Sequence, residues 1–436
     1  MVQKSRRPGM APIEDHPLRY KLANELHARP FPSIDTPATA VYLAIKQPNQ
    51  AVARDRQRDM DHLIALLDRY GAAHPQPGAT HYSGKLGRHT LKWEQHTEFV
   101  TYTAFSDGVR DRPFDPADFE VFPDDWLAEA PGARITSAQI RIETWADDDA
   151  VKAKVADWFV PESVAVSRVL DDAAVMAGDF RIDPSGHLRF AVFTRPDTGS
   201  RRVGRVVQRL CEIETYKTMS MLGFSRSRQM SGRMGEIDNE LTALMASMTQ
   251  DDRSAEEILH RLLTISTELE NLSAQSSFRF GATGAYEALV LQRVSVMREQ
   301  RFNGRQTFKE FMTRRYDPAM RTVKSTETRL KSMADRAMRA GDLLRTQVDV
   351  ERSAQNQALL ESMDRRSDMQ LQLQKTVEGL SVVAISYYAV SLMSYVVYPL
   401  TEPTGLSKGM LTALITLPVV ALVWWMIRRI RRQMEH

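Results

Sequence analysis

Two uncharged apolar stretches lie close together at the C-terminal end of the chain. The first span covers residues 379–401 and the second span covers residues 409–427, with charged residues on either side of each. At 1.5 Å per residue, a helix of either length crosses roughly 30 Å, which is the thickness of a bilayer's hydrocarbon core. The pattern predicts a chain tethered to a membrane by its C-terminal end. A buried helical hairpin in a soluble protein is the alternative.

The charges around the two spans predict their direction. A basic tail, residues 428–436, follows the second span, and Arg365 and Lys375 precede the first. The connecting loop, residues 402–408, carries only Lys408 as a cation. Because cytoplasmic loops hold the excess of lysine and arginine, both termini are predicted to be cytoplasmic and the loop external.

Length and composition limit the kinds of structure and partner expected for the residues before the spans. The chain has 436 residues, 43% of them hydrophobic, and single cores rarely exceed about 250–300 residues, so more than one folded region is expected. A net charge of +3 is small for this length, and we expect no nucleic-acid partner. The N-terminus has no apolar segment behind its basic residues, so no signal peptide is expected. Cys211 is the single cysteine, which excludes an intrachain disulfide.

Residues 1–16 are predicted to be a disordered lead, and residues 17–198 an α/β domain. Helical patterns occur at residues 17–28, 50–70 and 147–159. Short runs rich in β-branched and aromatic residues predict strands at residues 36–45, 80–85, 88–94, 98–105, 134–145, 164–169, 175–182 and 188–194. Because strands and helices do not alternate strictly, the pattern favours an α+β fold or a mixed sheet.

Residues 199–375 are predicted to form a helical stalk. The segment is rich in good helix formers, and Pro318 is its only proline. Helices are predicted at residues 199–222, 226–249, 253–277, 285–302 and 306–315, followed by a long helix from about residue 318 into the first span. Residues 281–284, Gly-Ala-Thr-Gly, are interpreted as a hinge between two helices. A stripe at three-and-four spacing predicts helix–helix packing of the coiled-coil kind: Leu330, Met333, Ala337, Ala340, Leu344 and Gln347.

The first span carries hydroxyl side chains at helical spacing. They form one polar stripe on an apolar helix: Ser381, Tyr388, Ser391, Tyr395 and Tyr398. In a ring of subunits this stripe could line a water-filled path, with Glu378 forming a carboxylate ring at its cytoplasmic mouth. Ordinary packing is the alternative, since small and hydroxyl-bearing residues let membrane helices approach closely.

Glu94, His96 and Glu98 form a second candidate site, for a divalent cation. If this segment is one strand, the three side chains point the same way and offer carboxylate and imidazole ligands. A solvated face is the alternative, because Trp93 and Phe99 would lie on the other side. No catalytic triad, Cys/His pair or dinucleotide-binding glycine pattern has usable spacing, so an enzymatic function is not expected.

Four passages carry a family resemblance: HPLRYKLANELHARPFP (residues 16–32), RFGATGAYEALVLQR (279–293), QTFKEFMTRRYDPAMRT (306–322) and LLESMDRRSDMQLQLQKTVEGLSVVAISYY (359–388). They resemble an uncharacterised bacterial family of predicted membrane-anchored proteins, domain-of-unknown-function family 3422. The resemblance implies a membrane-anchored protein and brings no catalytic residues. With the predicted topology, the expected location is the bacterial inner membrane.

The order of the elements is similar to that of CorA-type divalent-cation channels. Those are homopentamers whose first span lines the pore, with the signature Gly-Met-Asn after that span. Here the region reads YVVYPLTEPTGLSKGML, and Gly409 and Met410 are followed by Leu411, so the layout matches while Mg²⁺ selectivity stays open. The layout implies a homo-oligomer in the lipid bilayer, a pentamer if CorA-like, with a divalent cation as the candidate ion. A non-enzymatic, membrane-tethered scaffold or interaction protein is the alternative.

Overall fold

The computed structural model describes residues 15–20, 22, 31–48, 53–248, 255–400 and 407–434. Two compact units make up the chain: Met1–Ala246 with Leu262–Met338, and Ser247–Arg261 with Arg339–His436. Almost all of the predicted lead, most of the helix predicted at residues 17–28 and most of the loop predicted at residues 402–408 lie outside the described residues.

The first unit contains a nine-stranded mixed sheet. Its strands are β1 (Ala38–Lys46), β2 (His81–Leu86), β3 (His89–Gln95), β4 (Phe99–Asp107), β5 (Ala133–Thr144), β6 (Ala165–Val169), β7 (Ala174–Ile182), β8 (Leu188–Thr194) and β9 (Gln300–Arg301). Their spatial order is β2-β3-β4-β1-β5-β8-β7-β6-β9. Only β5 and β8 run parallel; the other neighbouring pairs in the sheet are antiparallel. The predicted α/β domain with a mixed sheet is confirmed, and β9 is the strand that was not predicted.

The helices in the described residues range from one turn to more than twenty turns. They are α1 (Arg56–Arg69), α2 (Asp124–Ala128), α3 (Asp148–Trp158), α4 (Ser200–Ser247), α5 (Ala255–Ser295), α6 (Phe308–Arg315), α7 (Asp317–Val397) and α8 (Lys408–Met434), with 3₁₀ helices at Pro116–Val121 and Tyr398–Leu400. α1 begins six residues after its predicted start because Asp55 caps it, accepting a hydrogen bond from the Gln57 amide at 2.9 Å.

β1 is buried on both faces of the sheet. Ala40 and Tyr42 belong to one core, and Val41 and Leu43 belong to the other. This explains the nearly continuous apolar sequence of the strand, ATAVYLAIK, which is typical of a strand covered on both sides.

Helices cover both faces of the sheet. α4 packs on the Tyr42 face through Val203, Val207 and Leu210. α1 packs on the opposite face of β1, β3 and β4 through leucines that include Leu63, and α3 covers that same face further along, at β7 and β8. The sheet therefore lies as a buried layer between helices.

Two predicted helix breaks are wrong. α4 continues through residues 223–225, and α5 continues through residues 281–284, where a hinge was predicted. A Cβ atom added to Gly223 would lie 2.1 Å from Thr283 Oγ1, and that hydroxyl donates to the Arg279 carbonyl at 2.8 Å. Gly223 therefore marks a close approach of two continuous helices. The small cost of glycine inside a helix, about 1 kcal/mol, is offset by this contact.

Polar and charged pairs connect α4, α5 and α7 in the first unit. Arg233 of α4 lies 2.6 Å from Glu268 of α5, and Asp238 of α4 lies 2.8 Å from Arg336 of α7. Three members of the predicted stripe on α7 lie in this unit and are buried: Leu330, Met333 and Ala337. Gln347, the last predicted member, is exposed, and coiled-coil packing of the stripe stays a prediction.

The second unit contains the two apolar helices. Both the end of α7 and α8 are long and apolar enough to cross a membrane, and only 6% of each apolar window is buried. A core helix of a soluble protein would be mostly buried, and these two windows are exposed in one chain. Residues 349–377 of α7, which precede the first apolar window, are exposed throughout.

We expect Gly223→Ala to destabilise the first unit, because the new methyl group must displace Thr283 and overpacking costs about 1–3 kcal/mol. Gly232→Ala in the same helix is the matched control, since an added Cβ there meets nothing within 4 Å and should stabilise by up to about 1 kcal/mol. Thermal unfolding of the full chain in mild detergent measures both. Equal midpoints would contradict the close approach.

Candidate functional site

The chain turns at residues 96–98, so the three candidate metal ligands do not share a strand face. β3 ends at Gln95 and β4 begins at Phe99. Glu94 is at the end of β3, whereas His96 and Glu98 lie in the turn. The condition for a shared face, one strand through this segment, is therefore not met, and the break between the strands predicted at residues 88–94 and 98–105 is confirmed.

Arg54 gives the physical reason for the turn. Its guanidinium donates to three backbone carbonyls there: those of His96 at 2.6 Å, Phe99 at 3.3 Å, and Thr97. Its Nε lies 2.8 Å from Asp59, and both side chains are almost fully buried. Because a buried arginine with a fixed carboxylate partner presents its remaining donors in a rigid fork, it holds these carbonyls where a strand would not leave them.

Glu98 is buried and is held by an arginine and a tyrosine. Its carboxylate accepts from the Arg279 guanidinium and, at 3.0 Å, from the hydroxyl of Tyr286. Glu98 is only 1% exposed. Burial, together with this neighbouring carboxylate, raises the pKa of Tyr286, so its hydroxyl remains a donor. Glu98 therefore neutralises buried positive charge between the sheet and α5, and it is not the solvated residue that the strand pattern indicated.

Glu94 and His96 line a cavity of about 460 Å³ between the sheet and α4. The other lining residues come from the segment before β1, from β1, β3 and β4, and from α4 and α5: Phe31, Pro32, Tyr42, Lys92, Phe99, Thr101, Thr103, Phe105, Gln208, Arg209, Cys211, Glu212, Thr215, Tyr216 and Arg293. The wall is aromatic on one part and charged on another. Within the described residues, no group of three or more His, Cys, Asp or Glu side chains is arranged to hold a metal ion.

A hydrogen-bonded chain of side chains forms the charged wall. Lys92 Nζ lies 3.0 Å from Glu94 Oε2 and donates to Gln208 Oε1 at 2.8 Å. Gln208 Nε2 donates to Glu212 Oε1 at 2.8 Å, and Arg293 Nε donates to the other Glu212 oxygen. Each carboxylate in this wall is thus paired with a cation, which connects β3 to α4 and α5.

Cys211 lies in the same wall and is buried. Burial raises the pKa of its thiol, so little thiolate forms at neutral pH. We therefore expect the only cysteine of the chain to be unreactive, which makes the protein suitable for inserted cysteine probes.

Sequence reasoning missed Gln208, Arg209 and Glu212. They lie more than a hundred residues after Glu94, and in sequence they look like the polar face of a solvated helix. Arg293, on α5, pairs with Glu212. Only the strand-to-helix packing brings these residues together, so no local signal was available.

In the second unit, the hydroxyl stripe of the first span lies on the exposed side of α7. Tyr388 and Tyr395 are 67% and 76% exposed. Ser386, on the opposite side of the helix at 3.6 residues per turn, is 6% exposed. Glu378 is half-buried and accepts from Gln374 at 3.2 Å. The stripe is therefore available to lipid or to another chain.

Glu98→Gln is expected to destabilise the first unit by about 3–5 kcal/mol, because it leaves the largely buried Arg279 without its counter-charge. Glu310→Gln is the control: the Glu310–Arg301 pair is exposed, and such pairs contribute about 1 kcal/mol or less. Thermal unfolding followed by tryptophan fluorescence compares the two. A smaller loss for Glu98→Gln than for Glu310→Gln would contradict the structural role of Glu98.

Comparison with known proteins identifies the family. No curated protein and no solved structure gives a significant match to the chain. One family model matches residues 14–434, almost the full length, and its description is protein of unknown function (DUF3422). The chain therefore belongs to the family described as protein of unknown function (DUF3422).

Proposed function

We propose that the protein is a membrane-anchored homo-oligomer in which α7 of each copy packs around a common axis. In the CorA-like layout that the sequence implies, the first span then lines a path for cations. The observation that carries the proposal is the surface of α7. One continuous face of this helix is apolar before the membrane and hydroxyl-bearing within it, and it is largely uncovered in a single chain.

The apolar part of this face is an exposed seam before the first span. Its members repeat at spacings of four and three residues, with Arg366 and Gln370 as polar positions between them: Leu359, Met363, Leu373 and Val377. Leu373 is 70% exposed. Since burying a large apolar side chain contributes about 1.5–3 kcal/mol, the seam favours association with another helix.

The seam continues directly into the hydroxyl stripe. Ser381 follows Val377 by four residues, and Tyr388 follows Ser381 by seven, so all three lie on one face of the same helix. Insertion of every copy into one membrane would hold the α7 helices parallel and at equal depth. A second copy is therefore the partner whose geometry best fits this seam.

Aromatic and basic residues near the C-terminal end of α8 support its membrane placement. Arg428 lies 4.9 Å from the Trp424 ring and Arg429 lies 5.4 Å from the Trp425 ring. Tryptophan and basic side chains are enriched where a helix leaves the hydrocarbon core. These contacts agree with a basic, cytoplasmic end for the second span.

Leu373→Cys is expected to form a disulfide-linked dimer on mild oxidation in membrane vesicles, because seam residues of neighbouring copies would meet at the axis. Lys375→Cys is the matched control on the far side of the helix, and the wild-type chain controls for Cys211. Non-reducing electrophoresis measures the product. Equal cross-linking at both positions, or a monomer in mild detergent, would overturn the proposed assembly.

In proteoliposomes we expect cation flux that falls at least tenfold with Glu378→Ala, because the carboxylate ring at the mouth is lost. A cationic methanethiosulfonate reagent should also block Ser391→Cys, which lies on the stripe, and leave Ser386→Cys, on the buried face, unaffected. A cation-sensitive dye inside the vesicles reports the flux. If the assembled wild-type protein conducts no cations, the channel is excluded and the membrane-tethered scaffold remains.

A further inference from the structure

The cavity beside α4 contains an arginine, Arg209, that forms no ion pair with a carboxylate in the described part of the chain. Arg209 is half-buried, and it donates to the Val296 carbonyl at 3.3 Å. It has no carboxylate partner among the described residues. Since Glu94 and Glu212 are already paired with Lys92 and Arg293, the described residues that line the cavity carry an excess of positive charge.

Other arginines surround Arg209. Burial, reinforced by the charges of Arg205 and Arg293, lowers its pKa, and Glu212 only partly opposes this effect. The Nε of Arg205 is buried and has no hydrogen-bond partner among the residues that the structure describes. Its guanidinium lies 5.1 Å from the ring of Phe31, a cavity-lining residue. Like charges held together in a partly dry site are unfavourable, and a bound anion would relieve the repulsion.

We propose that this cavity binds a small organic anion, with its carboxylate or phosphate group beside Arg209 and its apolar body against Phe31, Phe99 and Phe105. Arginine is suited to both head groups because its planar fork matches their oxygen geometry. A volume of about 460 Å³ is within the range of small-molecule sites. The aromatic wall holds the body of the ligand, and the hydroxyl of Thr103 supplies a polar contact within reach of the same space.

This site lies wholly in the first unit, so its test does not depend on the proposed channel. The ligand proposed for the cavity is an anion, whereas the proposed channel conducts cations. A divalent cation would be repelled by Arg209, whereas an anion is attracted.

Calorimetric titration of the full chain in mild detergent tests the proposal with three probes: phenyl phosphate, benzoate and neutral benzyl alcohol. We expect at least one anionic probe to bind ten times more tightly than benzyl alcohol and to weaken as salt increases. The two anions distinguish a phosphate from a carboxylate head group. Equal affinity for all three, or no binding, would overturn the proposal.

Two variants with opposite expected effects distinguish a specific change in binding from a general loss of folding. Arg209→Gln should weaken the anionic probe at least tenfold, and Glu212→Gln should strengthen it, because Arg293 would lose its counter-charge. Arg201→Gln removes an exposed charge of the same helix and should change nothing. If Arg201→Gln weakens binding as much as Arg209→Gln, or if Glu212→Gln weakens it, the site is not the one proposed.

Discussion

Uncovered apolar surface on α7 and α8 is the constraint on which the protein's organisation depends. The described residues of one chain bury almost none of this surface. Apolar patches of this size are rarely left exposed to water on a soluble protein. A bilayer would cover the apolar surface of the two spans. It would not cover the seam from Leu359 to Val377, because the seam precedes the span and carries polar residues between its apolar ones. A second helix is the covering that suits such a mixed face, so the proposed anchoring and the proposed assembly would both follow from one surface pattern.

The sheet and the apolar spans could be predicted because their signals are local. β1 has a nearly unbroken apolar sequence since both its faces are buried, and the strands around it are bounded by turn residues. The predicted helix breaks were wrong because glycine in a helical sequence can mark either the end of a helix or a close approach of a neighbouring helix. At Gly223 it provides room for Thr283 on a neighbouring helix, and no pattern within one helix reveals a contact sixty residues away.

The candidate site was harder to predict because a single distant residue sets its shape. Arg54 binds the carbonyls of the turn after β3, which sends Glu98 into the protein and leaves Glu94 and His96 beside the cavity. Alternation of side chains in the sequence predicts their faces only while the strand continues. The sequence indicated the break, with strands predicted at residues 88–94 and 98–105, but nothing local indicated that Arg54, about forty residues earlier, holds the turn and directs Glu98 inward.

The sign of the cavity's charge depends on partners rather than on residue types. Glu94 and His96 are residues that bind divalent ions when they converge with a third ligand, yet here Lys92 accompanies Glu94, and Arg293 accompanies Glu212. Because these cations neutralise both carboxylates, Arg209 determines the sign of the electrostatic potential in the cavity. A ligand of negative charge is then favoured by Arg209, beside the same Glu94 and His96 that, taken as a sequence pattern, indicated a metal.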